Sequence, residues 1–122
     1  MPTTLVLGAS TKPQRYSNIA TERLLAAGED VCLVGAKAGE IYGQPIHTDL
    51  DACPKAIDTV TLYLSAPRQA AYLDAIVERV QPRRIIFNPG TENPVLAQRA
   101  RAAGIEVVTA CTLVMIATGQ YS

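Results

Sequence analysis

A chain of 122 residues is the size of one domain and can bury a real core without metal or disulfide staples. Its 11 basic and 11 acidic residues cancel, which argues against a general electrostatic grip on nucleic acid or anionic membrane and confines any basic site to a local patch. Apolar runs such as residues 113–117 are far too short to span a bilayer, and the N-terminus lacks a charged segment followed by a long apolar one, so the expected location is cytoplasmic.

Residues 4–7 form a short apolar, β-favouring run that stops at Gly8. A turn containing Gly8, Ala9 and Ser10 then leads to Ser17, which reads as the cap of a first helix to about Ala27; Ile19, Ala20, Leu24 and Ala27 share one face and Gly28 is the stop. Residues 31–34 read as a buried second strand ended by the glycines at 35 and 39. Residues 40–55 read as loop, holding Pro45, Pro54 and one short turn from Thr48, so this crossover lacks a full helix. The third strand is 59–64. Ala66 and Pro67 open a second helix whose apolar positions Ala70, Leu73, Ile76, Val77 and Val80 follow helical spacing until Pro82. Residues 84–87 make the fourth strand. Asn93 followed by Pro94 caps a third helix carrying Leu96, Ala100 and Ala103, which ends at Gly104; 105–108 is the fifth strand, and 111–117 is apolar enough to close the fold as a short helix.

Strands that are nearly continuous apolar runs, separated by helical crossovers, predict an α/β fold. The expected form is a Rossmann-like parallel five-stranded sheet in order 3-2-1-4-5, with helices on both faces and one domain over residues 1–122. In such a sheet all C-terminal strand ends lie on one edge, where ligands bind. That edge would gather Gly8, Ala9 and Ser10, then Lys37, then Ser65, Ala66 and Pro67, then Asn88, Pro89 and Gly90, and finally Cys111. Lys12, Arg15 and Arg68 fall on it too, whereas Arg83 and Arg84 precede the fourth strand and belong at the opposite edge.

The implied ligand is an anion, most simply a nucleotide: Gly8 and Ala9 let backbone N–H groups come close, Ser10 adds a hydroxyl, Lys12 and Arg15 add charge, and the helix start at Ser17 adds unpaired amides. At the end of the second strand an NAD site usually has Asp or Glu, whereas Lys37 would attract a ribose phosphate, carried by NADP at the 2′ position and by coenzyme A at the 3′ position. The first loop is also not Gly-x-Gly-x-x-Gly. Plainer readings stand beside these: Lys37 as a solvated turn residue, Asn88 to Gly90 as a turn only, Cys111 as a small buried apolar residue or as a thiol at a helix start where thiolate is favoured. Cys32, Cys53 and Cys111 are odd in number and widely spaced, which favours reduced thiols; with His47 the single histidine, no zinc site suggests itself, and Tyr16 and Tyr63 are expected to pack, Tyr16 with the alternative of leaning on a ligand.

Taken together, LVLGASTKPQRYS at the start, the Lys37 turn, EIYGQPIHTDLDACP, NPGTENPVLAQRARAAGIEVV and Cys111 resemble the small stand-alone CoA-binding domain proteins, which are similar to the CoA-binding domain of the succinyl-CoA synthetase alpha subunit. The resemblance implies that Gly8, Ser10, Lys12 and Arg15 with Ser17 grip the pyrophosphate and that Lys37 meets the phosphorylated ribose. It also implies that Ser65, Ala66 and Pro67 flank the adenine side and that Asn88, Pro89 and Gly90 follow the pantetheine. Two departures from the family pattern are Gly35-Ala36, where Asn-Pro is frequent, and Thr109-Ala110, where a charged or polar pair is frequent.

The related synthetase chemistry needs a second domain with a phosphohistidine and an ATP-binding partner, which a chain ending at Ser122 is expected to lack. A short-chain reductase would need a Tyr and Lys at helical spacing after the fourth strand, and neither occurs so beyond Arg84. The expectation is therefore a non-catalytic module binding coenzyme A or an acyl-CoA, without metal, nucleic acid or membrane as partner. An NADP- or NAD-binding oxidoreductase or redox sensor is the second reading, and an interaction protein working through residues 113–116 the third. A protein partner or homo-oligomer is left open.

Overall fold

In the computed structural model, which describes residues 2–54 and 56–121, alternation along the strands divides the apolar residues between two cores. β1 (Thr3–Leu7) turns Leu5 and Leu7 to one face and Val6 to the other; β2 (Asp30–Val34) does the same with Cys32 and Val34 against Leu33. The first core gains Val60 and Leu62 from β5 (Thr59–Leu62) and Ile85 and Phe87 from β6 (Arg84–Phe87), and is covered by Ile76, Leu96 and Ala100 of the helices. The second core is thinner and packs under α1 (Tyr16–Ala26) and α5 (Thr112–Ala117) through Leu24, Met115 and Ile116. Helices thus lie on both faces of the sheet, as expected.

The strand order differs from the expected five-stranded 3-2-1-4-5. The sheet has seven strands, adding β3 (Gly39–Ile41) and β4 (Gln44–His47) to the five expected, the last of which is β7 (Glu106–Thr109), in the order β3-β4-β2-β1-β5-β6-β7. All neighbours are parallel except β3 and β4, which form an antiparallel hairpin. The hairpin is the physical reason for the difference. β4 occupies the outer side of β2, through Leu33 opposite Ile46 and Val34 opposite His47, so the next strand cannot add there. The chain instead turns at Leu50–Ala52 and passes beneath the sheet, where Leu50 and Ile57 join the first core, to place β5 beside β1. The winding therefore reverses between β1 and β5, and the crevice of such a fold opens there.

Helix ends follow local chemistry closely in one place and less so in others. Asn93 caps α4 (Pro94–Ala102) by accepting from the Leu96 N–H at 3.2 Å, with Pro94 in the first turn, as its sequence implies. The helix expected from Ala66 to Val80 is broken into α2 (Ala66–Gln69), α3 (Leu73–Ala75) and a wider-wound π-helical continuation, Ile76–Val80, which ends with Gln81 in the left-handed region. Cys32 and Cys53 are joined in a disulfide, contrary to the expectation of reduced thiols, because the passage beneath the sheet brings Cys53 against the first core; Cys111 is free. No helix among the described residues is long and apolar enough to cross a membrane.

Candidate functional site

Two glycines allow the loops after β1, β2 and β5 to converge. Gly8 has φ +104°, and a Cβ there would fall 2.9 Å from the Tyr63 backbone; a Cβ on Gly35 would fall 2.3 Å from the Ala9 carbonyl oxygen. Side chains at either position would force the loops apart. This close approach changes the role expected of the first loop, because the N–H groups of Gly8 and Ala9 both donate to the Val34 carbonyl, at 2.8 and 3.0 Å. They hold the loop to β2 and are not offered to a ligand.

What the first loop presents comes later in its course. α1 begins at Tyr16, two residues earlier than a Ser17 cap implies, with Arg15 in extended backbone as its N-cap and no side-chain capping bond. Ser17 is thus inside the first turn and not the cap, and its carbonyl accepts from the Thr21 hydroxyl at 2.8 Å. The Asn18 N–H turns back to the Arg15 carbonyl at 3.0 Å, which leaves the Tyr16 and Ser17 amides at the dipole end of an 11-residue helix. Ser10 Oγ accepts from the Lys12 N–H at 3.1 Å, shaping the loop. Tyr16, expected to pack, is 71% exposed beside this helix start.

Two sets of hydrogen bonds hold the loops along the same edge. Asn18, 2% exposed, donates to the Ser10 carbonyl at 2.9 Å and accepts from Tyr42 Oη of the β3–β4 turn at 2.5 Å. Gln69, fully buried, donates to the carbonyls of Leu64 and Thr91 at 2.8 and 2.7 Å, so the turn of Ser65, Ala66 and Pro67 is tied to the turn of Asn88, Pro89 and Gly90. Asn88 continues the second set: its amide donates to Thr61 Oγ1 at 2.7 Å and the Leu62 carbonyl at 2.8 Å, and accepts from the Thr112 N–H at 2.8 Å, next to Cys111. Asn88 is therefore at the edge with its side chain turned inward, and Gly90 N–H is taken by the Glu92 carboxylate at 3.0 Å. Asn18, Tyr42 and Gln69 went unnoticed in the sequence. The signal was there for Gln69 and Asn18, since each is a long or branched amide on an otherwise inward-facing helical position.

Charge is distributed unequally over the molecule. Lys12, Arg15, Lys37 and Arg68 are all exposed, all follow C-terminal strand ends, and form no ion pair among the described residues. Arg83, at the other edge, bonds Asp58 at 2.8 Å and lies 3.5 Å from Glu106. Just after β5, burial pushes the Tyr63 phenol up to about 12; the hydroxyls of Thr61 and Thr112 are bonded to one another at 2.8 Å, and Tyr63 Oη has no partner among the described residues. Two open clefts, of about 220 and 250 Å³, are lined one by Asp49, Tyr72 and Arg79 and the other, at the ends of β6 and β7, by Phe87, Glu92, Arg101 and Thr109. Both are smaller than the roughly 300 Å³ at which small-molecule pockets begin. The rim, which gathers the four exposed cations, is the better candidate.

Comparison with known proteins decides the family. Residues 2–117 match the family model described as CoA binding domain. The chain belongs to that CoA-binding domain family. No curated protein matches. Among solved structures, an uncharacterized protein is 41% identical with a TM-score of 0.91, covering 98% of both chains. A hypothetical protein from Pyrococcus horikoshii OT3 is 24% identical with a TM-score of 0.85, over 98% of this chain and 83% of that one. The dinucleotide-forming acetyl-coenzyme A synthetase 1 of Ca. Korarchaeum cryptofilum shares the fold at 19% identity and a TM-score of 0.72, over 88% of this chain but 25% of the synthetase. The last two likenesses show the fold alone.

Proposed function

We propose that this CoA-binding domain is a module that holds coenzyme A, or an acyl-CoA, along the C-terminal edge of its sheet and performs no chemistry on it. The observation that carries the reading is the set of unpaired cations Lys12, Arg15, Lys37 and Arg68 on that edge of a chain whose net charge is zero. Lys12 and Arg15, with the Tyr16 and Ser17 amides that open α1, suit a pyrophosphate. Lys37, on the turn after β2, suits a ribose phosphate. Ser65, Ala66 and Pro67 then border the adenine, and Pro89 and Gly90 the pantetheine, toward Cys111. Cations, hydroxyls and helix-end amides bind and orient an anion; they do not by themselves transfer a group. The NADP reading draws no support from the family or from the structural neighbours named above.

The test is the shift in melting temperature with coenzyme A, dephospho-CoA and NADP, since a ligand selective for the native state stabilises it by about 2.7 kcal/mol at a hundredfold excess over Kd. The expected ranking is coenzyme A first, dephospho-CoA clearly below it and NADP without effect. A flat response to coenzyme A would overturn the proposal, and an equal response to NADP would return the oxidoreductase reading.

A further inference from the structure

We infer that the Cys32–Cys53 disulfide makes this site redox-dependent: reduction by a dithiol loosens the segment that carries Lys37 and weakens binding of the phosphorylated nucleotide. The inference rests on the binding role proposed above. Cys32 lies mid-way along β2 and Cys53 follows the Leu50–Ala52 turn, 21 residues later. Between them lie Lys37 and the whole β3–β4 hairpin.

Apart from the disulfide, that segment is lightly attached. β4 meets β2 at two registered positions, whereas β1 meets β2 at five, and β3 is the outer edge of the sheet. Among the described residues the further ties are the Gly35 N–H to the His47 carbonyl at 2.9 Å, Tyr42 to Asn18, the buried side chains of Ile41, Ile46 and Leu50, and an exposed Arg79–Asp51 pair. Exposed pairs contribute little. The same segment forms one wall of the site, because a Cβ on Gly39 would fall 2.8 Å from Thr11 Cγ2 and Gly35 abuts Ala9. Loosening it therefore lowers the fraction of molecules in which Lys37 and the first loop face one ligand together, and the apparent affinity falls in proportion.

The chemistry balances. A dithiol thiolate attacks the partly exposed Cys53 sulfur and the Cys32–Cys53 bond breaks; the dithiol closes to its own disulfide, and its two electrons and two protons leave both cysteines as thiols. Cys111 follows β7, on the opposite side of the sheet from β2, and takes no part.

The experiment compares oxidised and dithiol-reduced protein by calorimetric titration with acetyl-CoA, whose thioester cannot exchange with the disulfide, alongside Cys53→Ser and hydrogen exchange over residues 35–49. Reduction is expected to weaken acetyl-CoA binding by about three- to tenfold and to speed exchange in that segment; reoxidation restores wild type but not Cys53→Ser. Should Cys53→Ser fail to fold, the reversible wild-type comparison carries the test. Equal affinity in both redox states overturns the inference, as does a count of three reactive thiols before reduction. Absence of binding in both states overturns the proposed function instead, and the redox coupling is then judged by exchange, where identical rates overturn it.

Discussion

The two edges of one sheet treat positive charge in opposite ways. At the N-terminal edge Arg83 donates to both carboxylate oxygens of Asp58, at 2.8 and 3.1 Å, and approaches Glu106. Arg84 beside it is buried, lies 4.5 Å over the Tyr121 ring and donates to Thr59 Oγ1 and the Tyr121 carbonyl. Those cations serve the fold, closing β5, β6, β7 and the C-terminal segment upon one another. At the C-terminal edge, Lys12, Arg15, Lys37 and Arg68 are left in solvent while buried amides beneath them hold the loops in place. The lesson is a division of labour within the rim itself: uncharged buried groups build it, and exposed charges are kept free for something outside the chain.

The sharpest way to break this division is to remove a builder. Asn88→Ala strips an amide that makes three hydrogen bonds at 2% exposure and leaves the Thr112 N–H and Leu62 carbonyl without that partner. Unfolding free energy from urea titration is expected to fall by about 2–4 kcal/mol. A loss below about 0.5 kcal/mol, with coenzyme A affinity reduced, would make Asn88 a ligand contact and not a strut.

Removing a free charge should do the reverse. Lys37→Ala is expected to weaken coenzyme A binding by about 1.5–3 kcal/mol if Lys37 makes one charge-assisted hydrogen bond, while changing stability by no more than about 0.5 kcal/mol, as surface substitutions do. Dephospho-CoA, lacking the ribose phosphate, should lose almost nothing. Titration calorimetry of the two nucleotides against wild type and variant reads this directly, and an equal loss for both would detach Lys37 from the ribose phosphate.

That free charge was legible in the sequence because it depends only on which residues follow strands. The alternation of elements, the Asn93-Pro94 cap and the stops at Gly28 and Gly104, both with positive φ, were legible for the same local reason. The strand order was not. β3 has three residues, too few for a period, β4 contains Pro45, which reads as a breaker, and the two are joined by Tyr42 and Gly43, both at positive φ. A two-residue turn of that kind is usually announced by Asn-Gly or Asp-Gly, and Tyr-Gly announces it weakly. The disulfide was hidden with it, since only the missed hairpin and the passage beneath the sheet bring Cys53 to Cys32. The builders were obscured differently. Asn88 sits in a run of turn formers, and its inward role depends on α5, which comes 24 residues later in its bond to Thr112.

The smallest expected effect separates the edges by pH. The Arg83 hydrogen bond holds the Asp58 carboxyl below its ordinary 3.8, with Thr59 and the charges of Arg83 and Arg84 acting in the same direction against burial. A depressed folded-state value means that the contribution is fully present above the unfolded pKa and is lost as pH falls through the folded one. Because the pair is solvent-accessible, the contribution is about 0.5–1 kcal/mol, and Arg83→Gln should remove it from the acid limb of the stability curve. A ribose phosphate loses its second charge near pH 6, by about the usual phosphomonoester value, so coenzyme A affinity should begin to fall well before Asp58 titrates. Arg83→Gln should leave that affinity limb where it is, whereas Lys37→Ala should flatten it without moving the acid unfolding limb. If Arg83→Gln shifted both limbs together, the two edges would be energetically one system and the division between structural and ligand-directed cations would fail.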